Sequence, residues 1–364
     1  MSRRCRPIPD RGRSEWPRGR CRGSPRSACS ARPLAGGRAA PCGRCRAGPR
    51  PAPAPRAPRA GARPNPRRWR GEIGKFKNDK AREEYLRAYR ALERELPVPT
   101  TTTDITTSFG TTRVRKAGRG EGVPLVLLHS LGANSLAWNH VLEDLGRDRV
   151  VYLPEMLGVP GLSVQTAPFT EENFGTWFGD LLDGLGLDRV HLVGYSQGGW
   201  QAMVIGTEQQ RRLASLTVIE PGGTLTKIKW SVLWTMIKVG ARPTDKNLRK
   251  MNAWLNPGVT LSDAEFAGVK ASLGYAPAIG FPKMFTDERL TTLTVPTLWL
   301  FGSESLVVDT ALARQRLRAY VPAPEIEVFA GAGHGIFHQI PDLVTARILD
   351  FTRRYEPTEA RRGE

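Results

Sequence analysis

Six short apolar runs, most of them followed by a stretch of helical periodicity, leave little choice of architecture for residues 123–355. They are VPLVLLH (123–129), RVVYLP (149–154), RVHLVG (189–194), SLTVIE (215–220), TLWLFG (297–302) and EIEVFA (325–330). Strands that are apolar along their length, rather than at every second residue, suit the interior of a parallel sheet, where both faces are covered. Helix-like stretches lie at 135–145, 171–185, 197–209, 309–320 and 342–355. Repeated strand–helix units of this kind specify an α/β fold, a mostly parallel sheet with helices on both faces. Two further short strands, 104–107 and 112–116, meet at Phe109-Gly110 as a hairpin. The expected sheet therefore has eight strands.

The alternation fails once, after the sixth strand. Residues 221–294 look helical and contain no convincing strand, and a bare loop of that length is not expected in a compact domain. We read the segment as a helical cap, with helices at 225–239 and 245–255 carrying Trp230, Trp234, Met236, Met251 and Trp254. These side chains either form the cap's own core or line an apolar chamber where cap meets sheet. Ahead of the sheet, Tyr85, Tyr89, Leu92 and Leu96 recur at helical spacing until Pro97, giving an amphipathic arm that packs on the body. The expected order is a tail over 1–70, the arm over 71–100, the sheet-bearing core over 101–220 and 295–357, the cap over 221–294, and a short tail over 358–364.

The formal net charge of +19 does not describe that body. Residues 1–70 hold 20 of the 54 Lys and Arg, all of them Arg, against two of the 35 acids. That is +18 locally, and +1 for everything else. The Arg/Pro-rich segment has no apolar periodicity and is expected to be disordered. It could attract polyanions without sequence preference, but a specific nucleic-acid partner is not expected. All five cysteines precede residue 46, so no disulfide framework is expected in the body. Cys42-x-x-Cys45 stands alone, whereas a structural zinc site takes four ligands. No apolar run is long enough for a transmembrane helix, and no signal-peptide core is recognisable, so the expected location is cytoplasmic. The sequence sets no oligomeric state.

The chemistry centres on GYSQGG (194–199), which follows a buried strand and opens a helix. It fits G-x-S-x-G, in which a sharp strand-to-helix turn presents a serine, here Ser196, as nucleophile. Of the five histidines, His191 lies within a strand and His140 within a helix, while His129 ends a strand. His334, in the GAGHG loop after the last strand, is placed to approach the sheet's carboxyl edge as general base; His338 is its rival. Taken with LLHSLGANSLAW (127–138), EMLGVPGLSV (155–164) and GAGHGIFHQIPD (331–342), the body resembles capped α/β-hydrolases, and is similar to bacterial carboxylesterase-like members of that superfamily.

The resemblance implies an oxyanion hole made by the amides of Leu131 and Gln197, although His129-Ser130 stands where the family usually has His-Gly. It also implies an acid at position 305, which here is Ser305. Glu304, one residue early, and Glu220, at the end of the sixth strand, are the two candidates to replace it, with Asp309 a third. The expected activity is hydrolysis of small or medium apolar esters through an acyl-enzyme, with no metal or cofactor. The missing residue at the usual acid position motivates an alternative, a hydrolase scaffold weakened in catalysis that binds a ligand.

Overall fold

A computed structural model describes residues 73–356 of the chain. The Arg/Pro-rich tail with its Cys42-x-x-Cys45, and the short tail expected at 358–364, lie outside the described residues. The expected strands are all present: β1 (Thr101–Thr107), β2 (Gly110–Gly118), β3 (Gly122–Leu128), β4 (Arg149–Pro154), β5 (Val190–Tyr195), β6 (Leu213–Ile219), β7 (Thr297–Gly302) and β8 (Glu325–Phe329). They lie side by side in the order β8-β7-β6-β5-β3-β4-β2-β1. Neighbours from β8 to β4 are parallel. The β1–β2 hairpin completes the sheet antiparallel to β4. A two-residue strand, Val164–Gln165, adds a ninth member beside the start of β2; it is too short to leave a period in the sequence.

Side-chain alternation divides the core between the two faces. Val126, Leu128, Trp299 and Phe301 face one side, where Trp177, Met203 and Leu317 cover them from α3 (Phe174–Leu185), α4 (Gln197–Glu208) and α9 (Thr310–Tyr320). Their sequence neighbours Leu125, Leu127, Leu298 and Leu300 face the other. There Val141, Phe337 and Ile348 cover them from α2 (Asn139–Leu145), α10 (Ile336–Gln339) and α11 (Pro341–Arg353). Each such fully buried large side chain contributes roughly 1.5–3 kcal/mol. The chain passes from β3 to β4 on one side and returns as β5 on the other side of β3. A crevice therefore opens beyond the carboxyl ends of β3 and β5, the position at which open α/β sheets bind ligands.

The arm is α1 (Asp79–Glu93). Asn78 caps it, its side chain accepting from the Ala81 amide at 2.9 Å, and Tyr85, Ala88, Tyr89 and Leu92 form its buried stripe. These residues pack on Leu136 and on Ala264 of the segment between β6 and β7.

That segment departs from expectation in four ways. It has four helices rather than two: α5 (Trp230–Ala241), α6 (Asp245–Leu255), α7 (Asp263–Ser272) and α8 (Asp287–Thr291). The first begins at Trp230 rather than 225, because residues 224–226 are held by tertiary contacts: Leu225 is fully buried, its carbonyl accepts from Arg316, and Thr226 Oγ1 accepts from the Asp309 amide. It also holds a strand, Tyr275–Ala276, paired antiparallel with Lys75–Phe76 ahead of α1. Trp230, Trp234 and Trp254 belong neither to a buried core nor to a chamber wall. Trp230 is 68% exposed and stacks on the half-exposed Trp234 at 6.4 Å. Met236 and Met251 do pack inward, against Val232, Leu255 and Val307. No helix among the described residues is long and apolar enough to cross a membrane.

Candidate active site

A single residue, Ser196, connects β5 to α4. Its backbone has φ 54° and ψ −115°, a region that costs a non-glycine residue on the order of 1–3 kcal/mol unless the surroundings enforce it. They do so through the Ser196 amide, which donates to Ile219 O at 2.9 Å, and the Ser196 carbonyl, which accepts from Trp200 N at 3.2 Å. The flanking glycines let the backbones close up. A Cβ on Gly194 would strike the Gly198 carbonyl, and one on Gly198 would strike the carbonyls of Leu128 and His129. Ser196 occupies the N-cap position of α4, yet its side chain makes no capping bond. Its Oγ lies instead 3.0 Å from His334 Nε2.

His334 sits in the loop between β8 and α10, with its side chain 12% exposed. Its Nδ1 lies 3.0 Å from Glu220 Oε2. Glu220 follows β6 directly, is fully buried, and also has a positive φ, 49°. Its carboxylate is saturated with donors: Gly302 N reaches Oε1 at 2.8 Å, and Ser305 Oγ reaches Oε2 at 2.5 Å. Ser305, at the position where the resemblance implies an acid, therefore donates to the Glu220 carboxylate. With Nδ1 facing a carboxylate and Nε2 facing a hydroxyl, the tautomer that satisfies both carries its proton on Nδ1 and accepts from Ser196 through Nε2.

Glu304 is not part of this constellation. It is exposed, its amide is tied to Ala332 O at 2.8 Å, and its carboxylate accepts from Ser303 Oγ at 3.2 Å. The one-residue offset turns it outward, and Glu220 already occupies Nδ1. Asp309 caps α9 through the Leu312 amide at 3.1 Å. His338 lies on α10, with no hydrogen bond to Ser196 among those of the described residues.

Beside Ser196, the amides of Leu131 and Gln197 donate no hydrogen bond within the described residues. Gln197 is the first residue of α4, so its amide is one of the four a helix leaves unpaired at its positive end. The loop carrying Leu131 is fixed from below. His129 Nδ1 lies 3.0 Å from Ser130 O, and its Nε2 accepts from Met156 N at 3.1 Å. Burial pushes the His129 pKa down to about 4, which keeps the ring neutral and able to donate at one end and accept at the other. Ser130 has an ordinary φ; the left-handed residue of the loop is Gly132, at 72°. The Ser-for-Gly difference therefore leaves the backbone unstrained.

Sequence reasoning missed several supporting groups. Glu155, quoted there only within its loop motif, is fully buried and accepts from Tyr89 Oη at 2.6 Å, Ser135 Oγ at 2.8 Å and Leu162 N at 2.5 Å. Burial raises its pKa despite those donors. Tyr195 Oη donates to the His334 carbonyl at 3.2 Å, and the His334 amide donates to Leu255 O at the end of α6, also at 3.2 Å. Tyr89 reads from sequence as part of an apolar stripe and Tyr195 only as a member of GYSQGG, and nothing in their spacing announces a hydroxyl partner.

A cavity of about 220 Å³ lies between the Ser130–Ala137 loop and the β6–β7 insert. Leu131, Tyr195 and Phe337 line its core side, and Asn256, Val259 and Val269 its insert side. Its lining is mostly apolar, with Asn134, Asn252, Asn256, Glu265 and His338 among its polar groups, and its volume is below the common small-molecule range of about 300–1,000 Å³.

Residues 125–347 match the family model described as the alpha/beta hydrolase family. A carboxylesterase from Bacillus subtilis strain 168, nap, is 27% identical over 278 residues, covering 73% of this chain and 92% of that protein. The carboxylesterase YbfK of the same strain is 27% identical over 280 residues, covering 74% of this chain and 94% of its own length. Among solved structures, naproxen esterase (carboxylesterase NP) from Bacillus subtilis superposes with a TM-score of 0.70 at 25% identity, over 76% of this chain and 99% of that one.

Proposed function

The chain belongs to the alpha/beta hydrolase family, and from that premise we propose that it is a carboxylesterase whose triad is Ser196, His334 and Glu220. The observation that carries the assignment is the unbroken relay from Glu220 Oε2 through His334 to Ser196 Oγ, with 3.0 Å at each step. In the proposed reaction His334 takes the Ser196 proton as Oγ attacks the ester carbonyl. Glu220 holds the ring in the reactive tautomer and stabilises the imidazolium. The Leu131 and Gln197 amides donate hydrogen bonds to the oxyanion, each contributing about 3 kcal/mol to the transition state. His334 then gives its proton to the leaving alcohol, and water repeats the sequence on the acyl-enzyme to release the acid.

The helical insert serves in this reading as a cap over the crevice, and the mostly apolar cavity that begins at Leu131 would take an apolar group of the ester. The ligand-binding alternative loses its motivation, because Ser305 donates to the acid rather than leaving its place empty. The test is a series of p-nitrophenyl esters of increasing acyl length, with Ser196→Ala as control. The wild type should hydrolyse short and medium chains, and Ser196→Ala should lose about 10³-fold or more in kcat while keeping its melting temperature. Equal rates for the two proteins at every chain length would overturn the proposal.

A further inference from the structure

Three side chains from distant segments converge beside the cavity, apart from Ser196: His140 on α2, Glu265 on α7 and His338 on α10. One potential ligand atom from each lies within 4.8 Å of the other two. His140 Nε2 and Glu265 Oε1 are 2.8 Å apart. The two imidazoles stand edge to face with 4.7 Å between ring centroids. Glu265 is held in place by its other oxygen, which accepts from the Ser262 amide at 2.8 Å in the capping box of α7. A plain His140–Glu265 hydrogen bond accounts for two members of this group and leaves the third without a polar partner among the described residues. The His338 ring makes no hydrogen bond among the described residues, so its ring nitrogens are not taken up by a protein partner there. His140 is 38% and Glu265 13% exposed in their side chains, so the group is open to ions from solution.

Two imidazoles and one carboxylate are a donor set for zinc and its neighbours; magnesium and calcium take oxygen-only sets. We propose that His140, Glu265 and His338 bind one zinc-class divalent cation, with solvent as fourth ligand, and that the ion fastens the insert to the core at the cavity's edge. Tetrahedral ligands about 2.0–2.1 Å from zinc stand about 3.3 Å apart, so the set closes by side-chain shifts on the order of 1 Å. No step of ester hydrolysis passes through this ion. The site is independent of the triad.

The test uses the full chain with its five cysteines replaced by serine, which removes competing thiolates. Zinc is titrated calorimetrically, and cobalt by its visible spectrum. The expected result is one equivalent of metal, with four-coordinate cobalt bands and no thiolate charge-transfer band. His140→Ala and His338→Ala should each weaken binding by about 100-fold. Glu265→Gln, which retains an oxygen for the Ser262 amide, should weaken it without unfolding α7. Zinc should slow hydrogen exchange in α7 of the parent protein but not of His140→Ala. Failure to bind an equivalent at sub-millimolar zinc, or undiminished binding in the His140→Ala/His338→Ala double variant, overturns the proposal.

Discussion

Glu220 reaches His334 only because its backbone departs from the strand at a positive φ, immediately before Pro221. The left-handed conformation turns the carboxylate under the His334 loop, and Gly302 N and Ser305 Oγ then fix both oxygens. Glu220→Gln retains shape but offers His334 Nδ1 a neutral partner; kcat on a p-nitrophenyl ester should fall about 10³–10⁴-fold with an unchanged circular dichroism spectrum. Because Ser305 Oγ touches the same oxygen that His334 does, an acid at 305 has access to the ring. The double variant Glu220→Gln/Ser305→Asp should recover at least about tenfold over Glu220→Gln alone, measured in the same assay. Sequence could narrow the acid to two glutamates but not choose between them, since the choice rests on a backbone dihedral and on which side chain is turned outward. His129 carries a different prediction. Its folded pKa, about 4, lies below the ordinary 6.5, so the unfolded chain binds a proton that the folded one refuses. That contribution to stability is complete above pH 6.5 and is lost as pH falls towards 4, by up to about 3 kcal/mol. Urea midpoints between pH 4 and 7 should slope less steeply for His129→Gln than for the wild type. Parallel slopes would assign the acid sensitivity to other groups.

Elements differ in how openly the sequence announces them. Strands β3 to β7 were legible because both of their faces are covered, which writes an apolar residue at nearly every position. Helix α6 was legible from its periodicity, and α1 from its stripe of Tyr85, Tyr89 and Leu92. The start of α5 was not, because Leu225 and Thr226 were claimed by the core and by α9. The pairing of Lys75–Phe76 with Tyr275–Ala276 was hidden by two hundred residues of separation. Helix α1 is more than packing, since Tyr89 Oη supplies Glu155 with a donor and receives one from Arg115 at 3.1 Å. Tyr89→Phe removes one donor from a buried carboxylate and should cost about 1–3 kcal/mol in a urea melt. A loss well under that range would mean that Glu155 is satisfied by Ser135 and Leu162 alone.

At the scale of the molecule, charge and chemistry belong to different parts of the chain. Residues 1–70 carry +18 of the net +19, and the proposed triad draws on none of them. Removing them should abolish retention on a cation exchanger at neutral pH while changing kcat/KM on a neutral ester by less than about twofold. The proposed metal ligands at 140, 265 and 338 illustrate what one-dimensional reading misses: they share no spacing, and only the meeting of α2, α7 and α10 makes them a set. The Leu255 carbonyl, which receives the His334 amide, has a practical meaning for anyone recombining relatives of this protein. The stretch that the proposed reading would exchange to alter substrate preference also steadies the loop of the proposed base, and Pro257 O does the same for Gln339 at 2.5 Å. A chimera carrying a foreign insert inherits a new preference together with a new footing for its histidine. Donor segments are therefore better chosen for the carbonyls at these two places than for overall likeness.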